Sequence, residues 1–288
     1  MYKSKLKYAE KLSFIPDKIY LSLIYFLKTK KILHWNNPVL LNEKLQWLKV
    51  YDRKPLYTQL VDKYEVKKYV SEIIGNEHII PTLGIWEKAE DISWDTLPEK
   101  FVLKCTHDSH SVVICDKSKG IEKEKIQNFL NECLNRNLFW LAREWPYKNV
   151  SPRIIAEEFL ETQNGEELID YKFYCYGGEP KYFMYSLGEA THNPKNHKFD
   201  MNKESIDYYF KKEPSIPLNK VKLPANIDEM IEIVNKIKLD CPHVRIDLFD
   251  INGKVYFGEY TFFSGAGFIN MISKEYSQIL ADQMVLKR

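Results

Sequence analysis

The stretch Val244-Arg-Ile-Asp-Leu-Phe-Asp-Ile-Asn-Gly-Lys-Val-Tyr-Phe-Gly-Glu-Tyr-Thr261 constrains the fold more than any other part of the chain. Two runs, Val244 to Phe249 and Lys254 to Tyr260, read as strands joined by Asp250-Ile-Asn-Gly253. In a tight hairpin the carboxylates of Asp247 and Glu259 can reach one side of the sheet and share a cation. Hard oxygen ligands of this kind suit Mg²⁺, which takes one or two carboxylates and completes its shell with phosphates and water. Arg245 stands two residues before Asp247 and so projects from the same face. A guanidinium there can neutralise charge on a transferring phosphoryl group or an acyl-phosphate. An exposed hairpin with ordinary surface charges accounts for the same pattern equally well.

The rest of the chain alternates between helical and strand-like texture. Leu45, Leu48, Val50 and Tyr51 recur near a helical period, as do Val61, Tyr64, Val66, Tyr69 and Val70. The segment Ile79 to Trp86 breaks that pattern with Pro and Gly. Phe101-Val-Leu-Lys-Cys105 and Val112-Val-Ile-Cys115 predict a hairpin, and Ile121 to Leu141 returns to helical spacing. Arg153 to Leu160 reads as a further strand, ending in the acidic, turn-like Thr162 to Glu167. Tyr171 to Tyr176 and Lys181 to Tyr185 flank Gly177-Gly-Glu-Pro180, a second hairpin. Asn226-Ile-Asp-Glu229 has the form of a capping box, opening a helix with Ile227, Met230, Ile231, Val234 and Ile237 on one face. Antiparallel hairpins interleaved with helices give an α+β protein.

Composition narrows the function. With 42 Lys+Arg against 40 Asp+Glu in 288 residues, nothing electrostatic points to nucleic acid. No apolar run approaches the ~18–20 residues of a membrane span. Ile19 to Phe26 is too short to cross a bilayer but leaves a peripheral contact with the inner membrane surface open. Five cysteines without a CxxC pair indicate neither a disulfide framework nor a zinc knuckle, and a cytoplasmic location is expected. His34, His78, His192, His197 and His243 show no ligand spacing. The Tyr and Trp content suits an aromatic core or a carbohydrate-contacting groove.

Arg-x-Asp, a Gly-containing turn, Glu-x-Thr and a Ser-Gly segment resemble the metal-binding end of ATP-grasp enzymes such as D-alanine–D-alanine ligase. More narrowly, Leu41-Asn-Glu-Lys-Leu-Gln-Trp47, Asp62-Lys-Tyr-Glu-Val-Lys67, Phe101-Val-Leu-Lys104, Asp170-Tyr-Lys-Phe173 and Phe257-Gly-Glu-Tyr-Thr-Phe262 resemble the TupA-like branch, linked to teichuronopeptide and capsular polysaccharide synthesis. The resemblance runs from about Leu41 to near the C-terminus. It implies an ATP-grasp fold: a mostly helical region at 1–95, then two α+β lobes at 96–160 and 161–288 that clamp ATP. It also implies roles. Lys104 would bind the α- and β-phosphates, and Lys172 would be a second cation near them. Glu157 would accept from the adenine amino group, with the backbone near Phe159 and Leu160 on the ring edge. Glu157 and the adjacent Glu158 point to opposite faces, so one of the two is solvated. Asp170 would take the ribose hydroxyls, while Asp247, Glu259 and Thr261 would hold Mg²⁺. The activity implied is a carboxylate–amine ligase, joining a uronic acid or other glycan-precursor carboxylate to an amine or amino acid.

Two departures stand out. The loop after Lys104, Thr106-His-Asp-Ser-His-Ser111, has none of the glycines that usually wrap phosphates, leaving Ser109 and Ser111 as hydroxyl donors. Asp108 there would repel a triphosphate unless it faces away or meets the metal. Thr261 stands where many ATP-grasp enzymes place an Asn, although the narrower branch favours Thr. Three rivals remain. A metal-dependent glycosyltransferase would show an Asp-x-Asp, which this chain lacks; a sugar phosphotransferase on the same fold shares the nucleotide site; a non-catalytic module would have lost ATP.

Overall fold

Period-two patterning builds two antiparallel sheets, and helices cover their apolar faces. The computed structural model describes residues 2–162, 167–188, 194–210 and 215–287. The turn-like segment after Thr162 and the histidine at 192 lie largely outside them. The chain divides into two compact units, one made of residues 1–17, 54–69 and 79–160, the other of 18–53, 70–78 and 161–288.

The first unit holds helices α1 (Tyr2–Lys11) and α4 (Pro55–Val61), strands β1 (Thr82–Trp86), β2 (Lys100–Cys105), β3 (Val113–Asp116) and β4 (Ile154–Glu158), and helices α6 (Lys123–Leu134) and α7 (Phe139–Ala142). The sheet order is β1-β4-β2-β3. Phe101, Leu103 and Cys105 alternate inward on β2, as Ile154 and Ala156 do on β4, and they pack with Leu130 and Cys133 of α6. The intervening residues of the same strands, Lys104 and Glu157 among them, therefore face the other side. Two expectations change here. Ile79 to Trp86, which reads only as a break in helical pattern, supplies edge strand β1. The helical run Ile121 to Leu141 is interrupted: α6 stops at Leu134, and the Asn137 side chain accepts from the Phe139 N–H at 3.1 Å to start α7 anew. Asn competes with helical backbone for hydrogen bonds, which is why it punctuates the run.

The second unit holds α2 (Asp17–Thr29, from Lys18 on), α3 (Leu41–Tyr51), β5 (Asp170–Tyr176), β6 (Glu179–Leu187), β7 (Lys195–Asp200), α8 (Ile227–Ile237), β8 (His243–Ile251), β9 (Lys254–Thr261) and α9 (Lys274–Gln283). Helix α5 (Glu65–Ile74) belongs to both segments of chain, with Lys67 in the first unit. The five-stranded sheet runs β7-β6-β5-β8-β9. One of its rows is wholly apolar, Phe199–Phe183–Phe173–Ile246–Tyr260, and its phenylalanines stack at 5.3 Å. Helix α8 covers that face, accepting a 2.7 Å hydrogen bond from the Tyr260 hydroxyl at the Ile237 carbonyl. Buried on α8 are Ile227, Met230, Ile233, Val234 and Ile237, with Ile231 only half-buried. The capping box is not made: the Asn226 side chain leaves the helix end and donates to Asp250 at 3.1 Å.

Candidate active site

The β8–β9 hairpin depends on one irregularity. Asn252 and Gly253 form its tip with φ of 56° and 82°, and the pairs Ile251–Lys254, Asp250–Val255, Phe249–Tyr256 and Leu248–Phe257 follow in step. Continued regularly, that register would set Gly258 against Asp247 and turn Glu259 to the apolar face. Instead a β-bulge at Gly258 makes Glu259 the direct partner of Asp247. A side chain at Gly258 has no room, since a Cβ there would lie 2.8 Å from the Phe249 ring and 3.0 Å from the Asp247 carbonyl oxygen. The shared carboxylate face thus comes from hairpin plus bulge, not from the tight hairpin alone.

Adjacent strands extend the row. Lys198, Met184, Lys172, Asp247 and Glu259 are successive cross-strand neighbours over all five strands, and Tyr174, Arg245 and Thr261 form the next row on the same face. Arg245 grips Asp247 with a two-pronged fork, Nε to Oδ1 and Nη2 to Oδ2, both at 2.6 Å. Its Nη2 also reaches Glu259 at 3.3 Å, and the Thr261 hydroxyl lies 3.3 Å from the same oxygen. Lys172 Nζ sits 3.4 Å from Asp247 and 3.6 Å from Asp170. Asp247 is 2% exposed, whereas the Glu259 side chain is 43% exposed. Burial alone pushes the Asp247 carboxyl up, but Arg245 and then Lys172 outweigh it and hold it below the usual carboxylate range. Against its own burial, the same pairing with Asp247 holds the Arg245 guanidinium well above its ordinary value. The result is an anionic row with cations beside it, open to solvent at the Glu259 end.

Lys198 escapes the sequence reading because Lys195–Asp200 shows no clean alternation. It is buried on β7, donates to Asn196 at 2.6 Å and lies 3.6 Å from Asp207. Tyr174 was legible in principle, being two residues beyond Lys172 on one strand.

In the first unit, Lys104 and Glu157 meet on the sheet face opposite α6. Glu157 is clamped between Lys104 Nζ at 2.5 Å and Lys67 Nζ at 2.6 Å. Burial raises the Glu157 carboxyl, yet Lys104 and Lys67 together bring it below the usual range. Lys67 is itself lowered, by desolvation first, with Glu157 offsetting part of the loss. It also donates to the Ile80 carbonyl at 2.6 Å. Glu158 is exposed, and Phe159 and Leu160 follow β4 half-buried.

The glycine-free loop is held from inside. Asp108 is 1% exposed, pairs with Arg136 at 3.1 Å and accepts the Ser109 N–H at 2.8 Å, so it faces away from solvent. The buried Ser111 hydroxyl accepts the Cys105 N–H at 2.9 Å, so it serves the loop; Ser109 is exposed. Lys63 donates to the Asp108 carbonyl at 2.9 Å, and Arg153 pairs with Asp62 at 2.7 Å. The motif Asp62-Lys-Tyr-Glu-Val-Lys67 is therefore the brace of this loop and of Glu157, a function its spacing does not reveal.

Among the described residues no cluster of three or more His, Cys, Asp or Glu could hold a metal ion. A pair of carboxylates whose remaining partners come from phosphates and water fits Mg²⁺ and not a closed protein cage. No helix among the described residues is long and apolar enough to cross a membrane.

Residues 43–285 match the model of the family described as TupA-like ATPgrasp. Comparison with curated proteins gives no match. Among solved structures, the chain is similar to D-alanine–D-alanine ligase from Bacillus anthracis, with 16% identity, 70% of this chain and 57% of that one covered, and a TM-score of 0.42. For the Helicobacter pylori D-alanine–D-alanine ligase the figures are 18%, 85%, 69% and 0.45. For phosphoribosylamine–glycine ligase from Thermotoga maritima they are 13%, 79%, 52% and 0.42. The chain spans 57% to 63% of the length of the two Bacillus anthracis ligase chains it matches.

Proposed function

The chain belongs to the TupA-like ATP-grasp family, and from that premise we propose that it is an ATP-dependent carboxylate–amine ligase working through an acyl-phosphate. One observation carries the reading: the bulge at Gly258 sets Glu259 directly against the Arg245-gripped Asp247. A buried carboxylate beside a half-exposed one is a donor pair for Mg²⁺, and Lys172 and Arg245 supply positive charge next to it. Bound there, Mg²⁺ would neutralise the phosphate charge.

Lys104 and Lys172 act as point charges on the phosphates, with Lys198 a third candidate on the same face as Lys172. Asp170 takes the ribose hydroxyls. Glu157, already held by two lysines, accepts from the adenine amino group, and the backbone at Phe159 and Leu160 lines the ring edge. Ser109 offers a hydroxyl to the phosphates. Ser111 is less available for this role, because it is fully buried. Thr261 supports Glu259 and completes the metal side.

The chemistry balances without a protein nucleophile. A carboxylate oxygen attacks the γ-phosphorus and ADP leaves; the amine nitrogen then attacks the acyl carbon, and phosphate departs with the electrons of the C–O bond and takes up the proton that the nitrogen loses. Arg245 stabilises the charge on the transferring group, and positioning supplies much of the acceleration. The carboxylate is a uronic acid or related glycan precursor for a cell-surface polymer, and the amine an amino acid or small amine. The test is mass spectrometry of products from the protein with Mg²⁺-ATP, pooled uronic acids and pooled amines. ADP, phosphate and a new amide appearing only with both pools is the expected result. ADP with a phosphorylated sugar would instead make it a kinase.

A further inference from the structure

Helix α2 is apolar on both sides. Its inner residues Leu21 and Tyr25 pack with Leu33 against Trp35, Val50 and Phe268. Its outer residues Ile19, Leu23, Phe26 and Leu27 are 62, 51, 49 and 53% exposed. Their spacing of i, i+4, i+7 and i+8 aligns them in one stripe. Just beyond the helix, Ile32 is 72% exposed. A helix face that only meets water is normally polar, so a continuous apolar stripe marks a surface that something covers.

Past Asp17, which opens the helix and pairs with Arg143 at 3.3 Å, the charge around the stripe has one sign. From Lys18 to Asn42 the chain contains no Asp or Glu, while Lys18, Lys28, Lys30 and Lys31 are all present. In a protein with 42 basic and 40 acidic residues that is a local concentration and not a general property. Lys30 takes a left-handed φ of 59°, which ends the helix and leaves Lys30 and Lys31 exposed past it. A second copy of this chain is a poor occupant. A two-fold contact along the stripe brings lysines of one copy toward lysines of the other.

We infer that α2 docks the protein on an anionic bilayer surface. The stripe enters the boundary between headgroups and acyl chains, and the lysines meet lipid phosphates. At 13 residues the helix is about 20 Å long, so it lies along the surface and does not cross it. This inference goes beyond the ligase reading and does not rest on it.

Co-sedimentation of the full chain with lipid vesicles tests it, with no nucleotide or substrate present. Vesicles of phosphatidylcholine alone are compared with vesicles also containing phosphatidylglycerol. The expected result is binding to the anionic vesicles only, weakening as salt rises. The pair Lys30→Glu with Lys31→Glu should lower partitioning about tenfold or more. Leu23→Ser with Phe26→Ser should also abolish binding, with unchanged melting curves because these side chains are exposed. Absence of binding, equal binding to neutral vesicles, or indifference to both variants would overturn the inference. So would a concentration-dependent dimer in light scattering that Leu23→Ser disperses, which would assign the stripe to a second copy.

Discussion

Asp247 and Glu259 face each other, yet they do different physical work. Asp247 is buried and holds Arg245 and Lys172 in place, so Asp247→Asn leaves two cations short of charge compensation. Breaking a buried pair of this kind costs about 3 kcal/mol, and the melting temperature should fall accordingly. Glu259 is half-exposed, and Glu259→Gln should cost no more than about 0.5–1 kcal/mol of stability. In both variants turnover of ATP should drop about 100-fold or more, the order seen when a preorganised charge is lost from a phosphoryl-transfer site. Melting curves paired with steady-state rates separate the two effects. Equal stability loss in both variants would contradict the division of labour. Of these residues, Asp247 and Arg245 are legible in the sequence because period-two spacing places them; Glu259 is legible as a carboxylate on the same hairpin, but its face is set by the bulge. Lys67 is not, because its partner Glu157 lies far along the chain, and Lys198 is not, because its strand shows no clean alternation.

The element that decides the geometry is the β8–β9 hairpin, and its two glycines make a controlled comparison. At Gly253 a Cβ meets nothing within 4 Å, but φ is +82°. Gly253→Ala should therefore cost only about 1 kcal/mol of backbone strain and leave turnover unchanged. At Gly258 the objection is steric, against backbone as well as a ring. Gly258→Ala should cost roughly 1–3 kcal/mol and also lower turnover, because the bulge that aligns Glu259 is disturbed. Thermal melts and initial rates of the two variants check this. The strands and the tip were readable from alternation and from the Asn-Gly dipeptide. The bulge was not, since a one-residue slip changes no composition and shows only in the pairing. The same limit applies to β1, whose Pro and Gly read as punctuation, and to the Ile121–Leu141 run, where local asparagines override the apolar period.

At the scale of the molecule, buried ionisable groups set the acid limit. His243 is buried, with Nδ1 2.9 Å from the Cys175 carbonyl oxygen and its ring 4.5 Å from that of Tyr176; desolvation lowers its pKa from 6.5 to about 4. The unfolded chain therefore takes up that proton first, and stability falls as pH drops from 6.5 toward 4, by about 3 kcal/mol in all. Asp247 and Glu157, both held below the usual carboxylate range, stabilise the fold above their unfolded values of 3.8 and 4.5 and lose that contribution as pH falls further. Denaturant titrations across pH should show the two phases, and His243→Phe should flatten the first and leave the second. The central claim, activation of a carboxylate as an acyl-phosphate, is tested most directly by labelling the carboxylate substrate with heavy oxygen and collecting the phosphate released with Mg²⁺-ATP and an amine. Transfer of one heavy oxygen to each phosphate is the predicted result. Phosphate free of label, or ADP formed without amide, would contradict it.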